Sequence, residues 1–187
     1  GLEPICDRQE VAARGRGAEA LGQEVRDVAM LALTRKSPFR MTVSAREEAG
    51  VLRGSLQING PTRSGRRVEL VLAEKGAIYP GLGATVVHRM VARSALTDAI
   101  DGVRWAPTNG YMEVTFERSL QRVTADNLEF LARYEQAGGS PASRLSTQLD
   151  PEQLVVVAIL REPATGIVDQ AVQCDVVNAA HRKDGER

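Results

Sequence analysis

The run LVVVAIL, Leu154–Leu160, is the strongest constraint in the sequence. Seven consecutive apolar residues fall far short of the roughly 20 that a helix needs to cross a bilayer. The run reads instead as a strand that is buried on both faces or central in a sheet. Glu162-Pro163-Ala164-Thr165-Gly166 supplies a turn, and Ile167–Val177 then sets Val172, Cys174 and Val176 in alternation with Gln173, Asp175 and Val177. That pattern predicts a hairpin. A hairpin so apolar must be covered by other layers of chain.

The rest of the sequence offers those layers. Phe39, Met41, Val43 and Ala45 alternate with polar residues, Glu47–Gly50 turns the chain, and Leu52, Leu56 and Ile58 repeat the alternation over Val51–Ile58. Gly54 interrupts this second strand and predicts a bulge. A loop follows at Asn59-Gly60-Pro61 and Ser64-Gly65, then a more continuously apolar strand over Val68–Ala73. Tyr79–Gly83 reads as a turn, and Ala84–Leu96 as either extended or leading into a helical turn near Ser94–Ile100. Gly102–Gly110 is a loop carrying Trp105 and Pro107, and Tyr111–Phe116 is a strand with Met112, Val114 and Phe116 on one face. Asp126 favours a short helix over Thr124–Tyr134, with a strand as the alternative. Gly138–Ser146 is a polar surface loop.

The N-terminal part differs in period. Pro4–Ala13 reads as two short strands about a turn at Asp7-Arg8. Leu21, Val25, Val28, Ala29 and Ala32 then recur at helical spacing over residues 18–34, before Ser37-Pro38 ends the helix. The expected fold is therefore mainly β, an antiparallel β-sandwich of six or seven strands. An N-terminal strand–turn–strand–helix makes it α+β overall. The division is residues 1–37, the sandwich 38–178, and a charged tail 179–187.

Charge excludes one class of partner. Lys and Arg number 24 against 24 Asp and Glu, so the basic excess that drives phosphate-backbone binding is missing and nucleic acid is not expected. No stretch is long and apolar enough for a transmembrane helix. The chain opens on Gly1 rather than Met, as expected of a processed product or a piece of a longer protein, with room for an export signal upstream. HExxH and GxSxG are both missing from the sequence, and a His-based metal site would need both histidines, His88 and His181. No cofactor is expected.

The stretch Arg67–Leu96 brings a fold pattern and a candidate site together. It runs from a strand through a Gly-rich turn into Val87–Arg93. His88, Arg89 and Arg93 form a polar cluster that suits an anion or an adjoining domain, since a guanidinium fork matches a carboxylate. The competing reading is structural: a hydrogen-bonded His88, with Arg93 paired to an acid such as Glu74 or Asp98. On a regular strand His88 and Met90 would share one face, and Arg89, Val91 and Arg93 the other. Trp105 and Tyr111 are candidates for an aromatic ligand platform, against the alternative that Trp105 plugs the core. Arg63, Arg66 and Arg67 with Ser64 and Gly65 make a basic loop, read as a solvated turn. Cys6 and Cys174 stand far apart without metal or CxxC spacing, so a disulfide between them and two inert thiols both remain open.

Three stretches carry a family resemblance. Pro4-Ile5-Cys6-Asp7-Arg8-Gln9-Glu10-Val11, followed by glycines and an amphipathic segment, resembles the closing strand–turn–strand–helix of a thioredoxin fold. Gly81–Arg93 is similar to a segment with a Gly-rich turn, a His and a Val-x-Arg-like ending. Leu149–Leu154 through Gln170-Ala171 resembles that family's last hairpin. Together they resemble the C-terminal part of bacterial thioredoxin-like exported proteins with an appended β-sandwich, a group that includes outer-membrane lipoproteins. The resemblance implies an extracytoplasmic, non-catalytic binding or scaffold module whose partner is an upstream thioredoxin-like domain or another protein. It places Cys6 as a redox candidate. The CxxC of the redox-active members is missing here, so a thiol–disulfide oxidoreductase is implied only if its catalytic part lies upstream, with this chain as its specificity domain. A carbohydrate-binding sandwich is the further alternative, and it requires Trp105 or Tyr111 on an open strand face.

Overall fold

A computed structural model describes residues 36–80, 85–97, 102–138 and 148–178. The expected N-terminal strands and helix, Cys6 and the charged tail lie outside the described residues. Strands β1 (Arg40–Glu48), β2 (Val51–Asn59), β3 (Arg67–Pro80), β4 (Thr85–Ala95), β5 (Val103–Arg104) and β6 (Tyr111–Ser119) come first. Helix α1 (Leu120–Gln136) follows, then β7 (Leu154–Arg161), β8 (Val168–Asp175) and β9 (Val177–Asn178). Two sheets result. The first has the order β6-β2-β1-β9, the second β4-β3-β7-β8, with β5 also pairing β3. All pairings are antiparallel except the short parallel contact of β9 with β1. The fold is a β-sandwich, mainly β with one helix among the described residues, as the turn-punctuated short strands predict.

Register explains the alternation. Val43 opposes Leu56, which opposes Val114, so one face of the first sheet is apolar across three strands. In the second sheet Val68, Leu70 and Leu72 face Leu160, Ala158 and Val156, and all six are completely buried. Fully burying a Val or Leu side chain contributes roughly 1.5–3 kcal/mol, so these pairs supply much of what holds the layers together. The outer face of the first sheet carries Thr42, Ser44, Arg53, Ser55 and Glu117 and is polar, as a sandwich facing water requires.

Gly54 does not mark a bulge. It pairs in regular register with Ala45 on one side and Phe116 on the other. A Cβ there would lie 2.2 Å from the Ser44 carbonyl oxygen and 2.3 Å from Cζ of Phe116. The glycine lets the Phe116 ring lie across the sheet, a packing reason rather than a turn reason.

The third strand is longer than the apolar run suggests. β3 continues through Gly76 and Tyr79-Pro80, because β4 supplies a partner strand as far as Pro80 opposite Thr85. Residues 85–95 are therefore extended and do not form a helical turn before Ala95. The helix, in turn, starts earlier than Thr124. Ser119 caps it, its hydroxyl accepting the Arg122 N–H at 3.3 Å. Gly138 in the left-handed region (φ 87°) ends it, its N–H donating to the Glu135 carbonyl.

Candidate functional site

The residues marked by the sequence separate into two ends of the sandwich. Arg89 opposes Gly76 and His88 opposes Ala77, on the long β3–β4 arm. Trp105 follows β5, and its backbone N–H donates to the Arg66 carbonyl beside the start of β3. From Arg67 to Gly76 an extended chain covers about 30 Å. His88 and Arg89 therefore do not share a site with Trp105 and Tyr111. Arg89 is exposed, and the side chain of His88 lies outside the described ones.

Arg93 belongs to the interior rather than to an external anion. The β3–β4 register shifts between Leu72 and Ala73, and Arg93 is the extra residue on β4 at that step. Strict alternation along Val87–Arg93 is therefore lost, and Met90 takes a left-handed backbone (φ 55°) as well. The Arg93 Nε donates to Oε2 of Glu74 at 2.8 Å, and its Nη2 donates to the same oxygen. Glu74 continues the inward row of Val68, Leu70 and Leu72, and its Oε1 accepts the Asp150 N–H at 3.3 Å. Only 6% and 5% of the two side chains are exposed. A buried carboxylate at the end of an apolar row requires such a partner, so the pair answers the burial of Glu74.

Trp105 is a core residue. It is 3% exposed, meets Phe39 edge to face with ring centroids 5.8 Å apart, and donates from Nε1 to the Pro61 carbonyl at 3.2 Å. This overturns the aromatic platform: the ring that would stack on a ligand is already stacked inside. Tyr111 opens the edge strand β6, 40% exposed. Partial desolvation, together with the neighbouring Glu113 carboxylate, pushes its phenol above the ordinary range. The carbohydrate reading thus loses Trp105 and is left with Tyr111.

Cys174 is a free thiol on the core side of β8, opposite Val156. Burial raises its pKa, with the Asp175 charge adding to the rise and a backbone hydrogen bond from Val156 opposing it. A raised thiol pKa is the reverse of what activates a cysteine nucleophile.

Two arginines of the basic loop join one ion-pair network with β8 and its turn. Arg66 donates to Asp169 at 2.9 Å and to Glu162 at 3.0 Å, and the Asp169 hydrogen bond raises the Arg66 pKa. Arg63 reaches the same Asp169 at 4.0 Å. Arg67 turns elsewhere, to the Gly102 carbonyl at 3.2 Å.

One surface was only partly marked by the sequence. Helix α1 anchors its first turns through buried Val123, but Leu128, Phe130 and Tyr134 are 52, 61 and 50% exposed. Val123, Phe130, Leu131 and Tyr134 fall along one stripe at three- and four-residue spacing. The sequence pattern predicts a short helix here and does not single out Phe130.

No protein-family model matches the chain, and no curated protein is significantly similar to it. Among solved structures, the chain is similar to a domain of the outer membrane lipoprotein Omp28 from Porphyromonas gingivalis. The TM-score is 0.46 and the identity 12%, over 77% of this chain and 92% of that one. A likeness this distant carries no argument about what the chain binds or does.

Proposed function

We propose that this chain is a non-catalytic β-sandwich module that docks a neighbouring protein domain through the apolar stripe of α1. The exposure of Phe130 and Tyr134, in line with buried Val123 on a helix anchored only at its start, carries the reading. Aromatic and aliphatic side chains grouped on one exposed stripe mark a contact surface, because leaving them in water forgoes their burial energy. The partner is a domain that precedes Gly1 in the same polypeptide. By the resemblance it is thioredoxin-like and extracytoplasmic, with residues 1–37 as its closing elements.

Hydrogen exchange tests this. In a polypeptide extended by the coding sequence upstream of Gly1, the amides of Glu129–Gln136 should exchange at least tenfold more slowly than in this chain alone. Equal exchange, or an upstream sequence that encodes no domain, overturns the proposal. A CxxC in that upstream domain would make this chain the specificity module of a thiol–disulfide oxidoreductase. Cys174, with its raised pKa, adds no reactive thiol to that reading.

A further inference from the structure

Three arginines that are scattered in the sequence meet in one cross-strand row. Arg67 on β3 directly opposes Arg104 on β5 and Arg161 on β7. Opposed residues of neighbouring strands project from the same face, with Cβ atoms about 4.5–5.5 Å apart. The next residue, Val68, is completely buried, so the row lies on the outer face of the second sheet, towards solvent. Like charges directly opposed across strands destabilise a sheet, and three in a row do so twice. Their direct opposition across the strands works against folding.

The row is held in shape. Arg161 is tied to Glu69, its Nε donating to Oε1 at 2.5 Å. Arg67 is tied to the Gly102 carbonyl. Gly102 adopts φ +76°, and a Cβ there would lie 2.3 Å from the Val68 carbonyl oxygen and 2.9 Å from Cγ of Glu69. Only glycine fits this approach, which fixes the carbonyl that steers Arg67. Arg104 is exposed and has no acceptor among the described residues. Among the described residues the three guanidiniums thus share one carboxylate, that of Glu69, on a framed patch.

We infer that Arg67, Arg104 and Arg161 form a binding site for a tetrahedral oxyanion, a phosphate or sulfate group. Planar guanidinium forks suit such oxygens bidentately, and an anion would relieve the repulsion along the row. The site is independent of the α1 surface.

The test uses the full chain at constant ionic strength, with chloride replaced stepwise by inorganic phosphate or sulfate while backbone amide NMR shifts are followed. Saturable shifts at Arg67, Gly102, Arg104 and Arg161 are expected. Arg104→Gln, which touches neither the Glu69–Arg161 nor the Arg67–Gly102 bond, should weaken binding about tenfold or more, since a charge-assisted hydrogen bond is lost. Arg122→Gln, on the exposed face of α1, should bind as the unchanged chain does. A second arm compares vesicles of phosphatidylcholine with and without phosphatidic acid. Binding to phosphatidic acid vesicles that Arg104→Gln reduces identifies a lipid headgroup as the source; phosphate binding without vesicle binding identifies a free or small-molecule oxyanion. Shifts that rise linearly without saturating, or that Arg104→Gln leaves unchanged, overturn the site.

Discussion

Replacing Arg93 by Met would leave the Glu74 carboxylate buried without its guanidinium, with the Asp150 N–H still donating to its Oε1 at 3.3 Å. Both side chains of the pair are at least nine-tenths hidden from solvent. Removing one partner of a buried pair costs about 3–5 kcal/mol, because the remaining charge has lost both water and its countercharge. In a domain of this size each kcal/mol moves the melting temperature by about 2–4 °C, so Arg93→Met should melt on the order of 6–20 °C lower. Glu74→Leu combined with Arg93→Met removes both charges and should recover most of that loss, since a buried ion pair replaced by apolar groups is often neutral or better. Salt should scarcely change the melting of the original chain, because buried pairs are poorly screened. Thermal melts and urea titrations of the two variants measure the coupling. A double variant as unstable as Arg93→Met, or an Arg93→Met melt unchanged from the original, would refute the assignment of Arg93 to the core.

Other outcomes follow from the same packing. Gly54→Ala forces a Cβ against the Ser44 carbonyl and the Phe116 ring and should cost about 1–3 kcal/mol by urea titration; an unchanged midpoint would show that the sheet yields there. Val156→Asp places a charge at a completely buried position and should abolish cooperative unfolding; a melt like that of the unchanged chain would remove β7 from the core. The single tryptophan, Trp105, should resist acrylamide quenching until the chain unfolds, and ready quenching of the folded chain would contradict its place against Phe39. The raised Cys174 pKa stabilises the neutral thiol in the folded state, so its contribution is complete below the unfolded thiol value, near 8.5, and is lost as pH rises through the raised folded value. Cys174→Ser should flatten that alkaline loss, and an identical alkaline profile would show that Cys174 does not cause it.

The sandwich was legible wherever one face of a strand meets the core and the other meets water. Phe39–Ala45, Val51–Ile58 and Tyr111–Phe116 alternate for that reason, and Leu154–Leu160 carries no polar residue because β3 and β8 flank it on both sides, although Val157 and Ile159 on its outer face are only half-buried. Legibility failed where a distant partner decides the conformation. The apolar strand reads only as far as Ala73 and Tyr79–Gly83 as a turn, yet β4 holds Gly76 and Pro80 in a ladder. Ser119 as a helix cap was hidden inside a charged stretch, and Gly54 was explained only by the ring of Phe116. The Arg93–Glu74 pair was one of two open readings, and burial chose it. The arginine row could not be read at all, since Arg67, Arg104 and Arg161 share nothing but register.

The displaced residue at Arg93 has a further consequence, for what the sheet can join. Among the described strands β4 is an edge strand, and a straight edge offers unpaired N–H and C=O groups to any passing chain. The extra residue at Arg93 and the left-handed backbone at Met90 break that template at two nearby points. Deleting Arg93 would smooth the edge. Such a chain should form concentration-dependent cross-β assemblies that the unaltered one does not. The arginine that neutralises a buried acid would then also be the residue that keeps one copy of the sheet from growing onto the next.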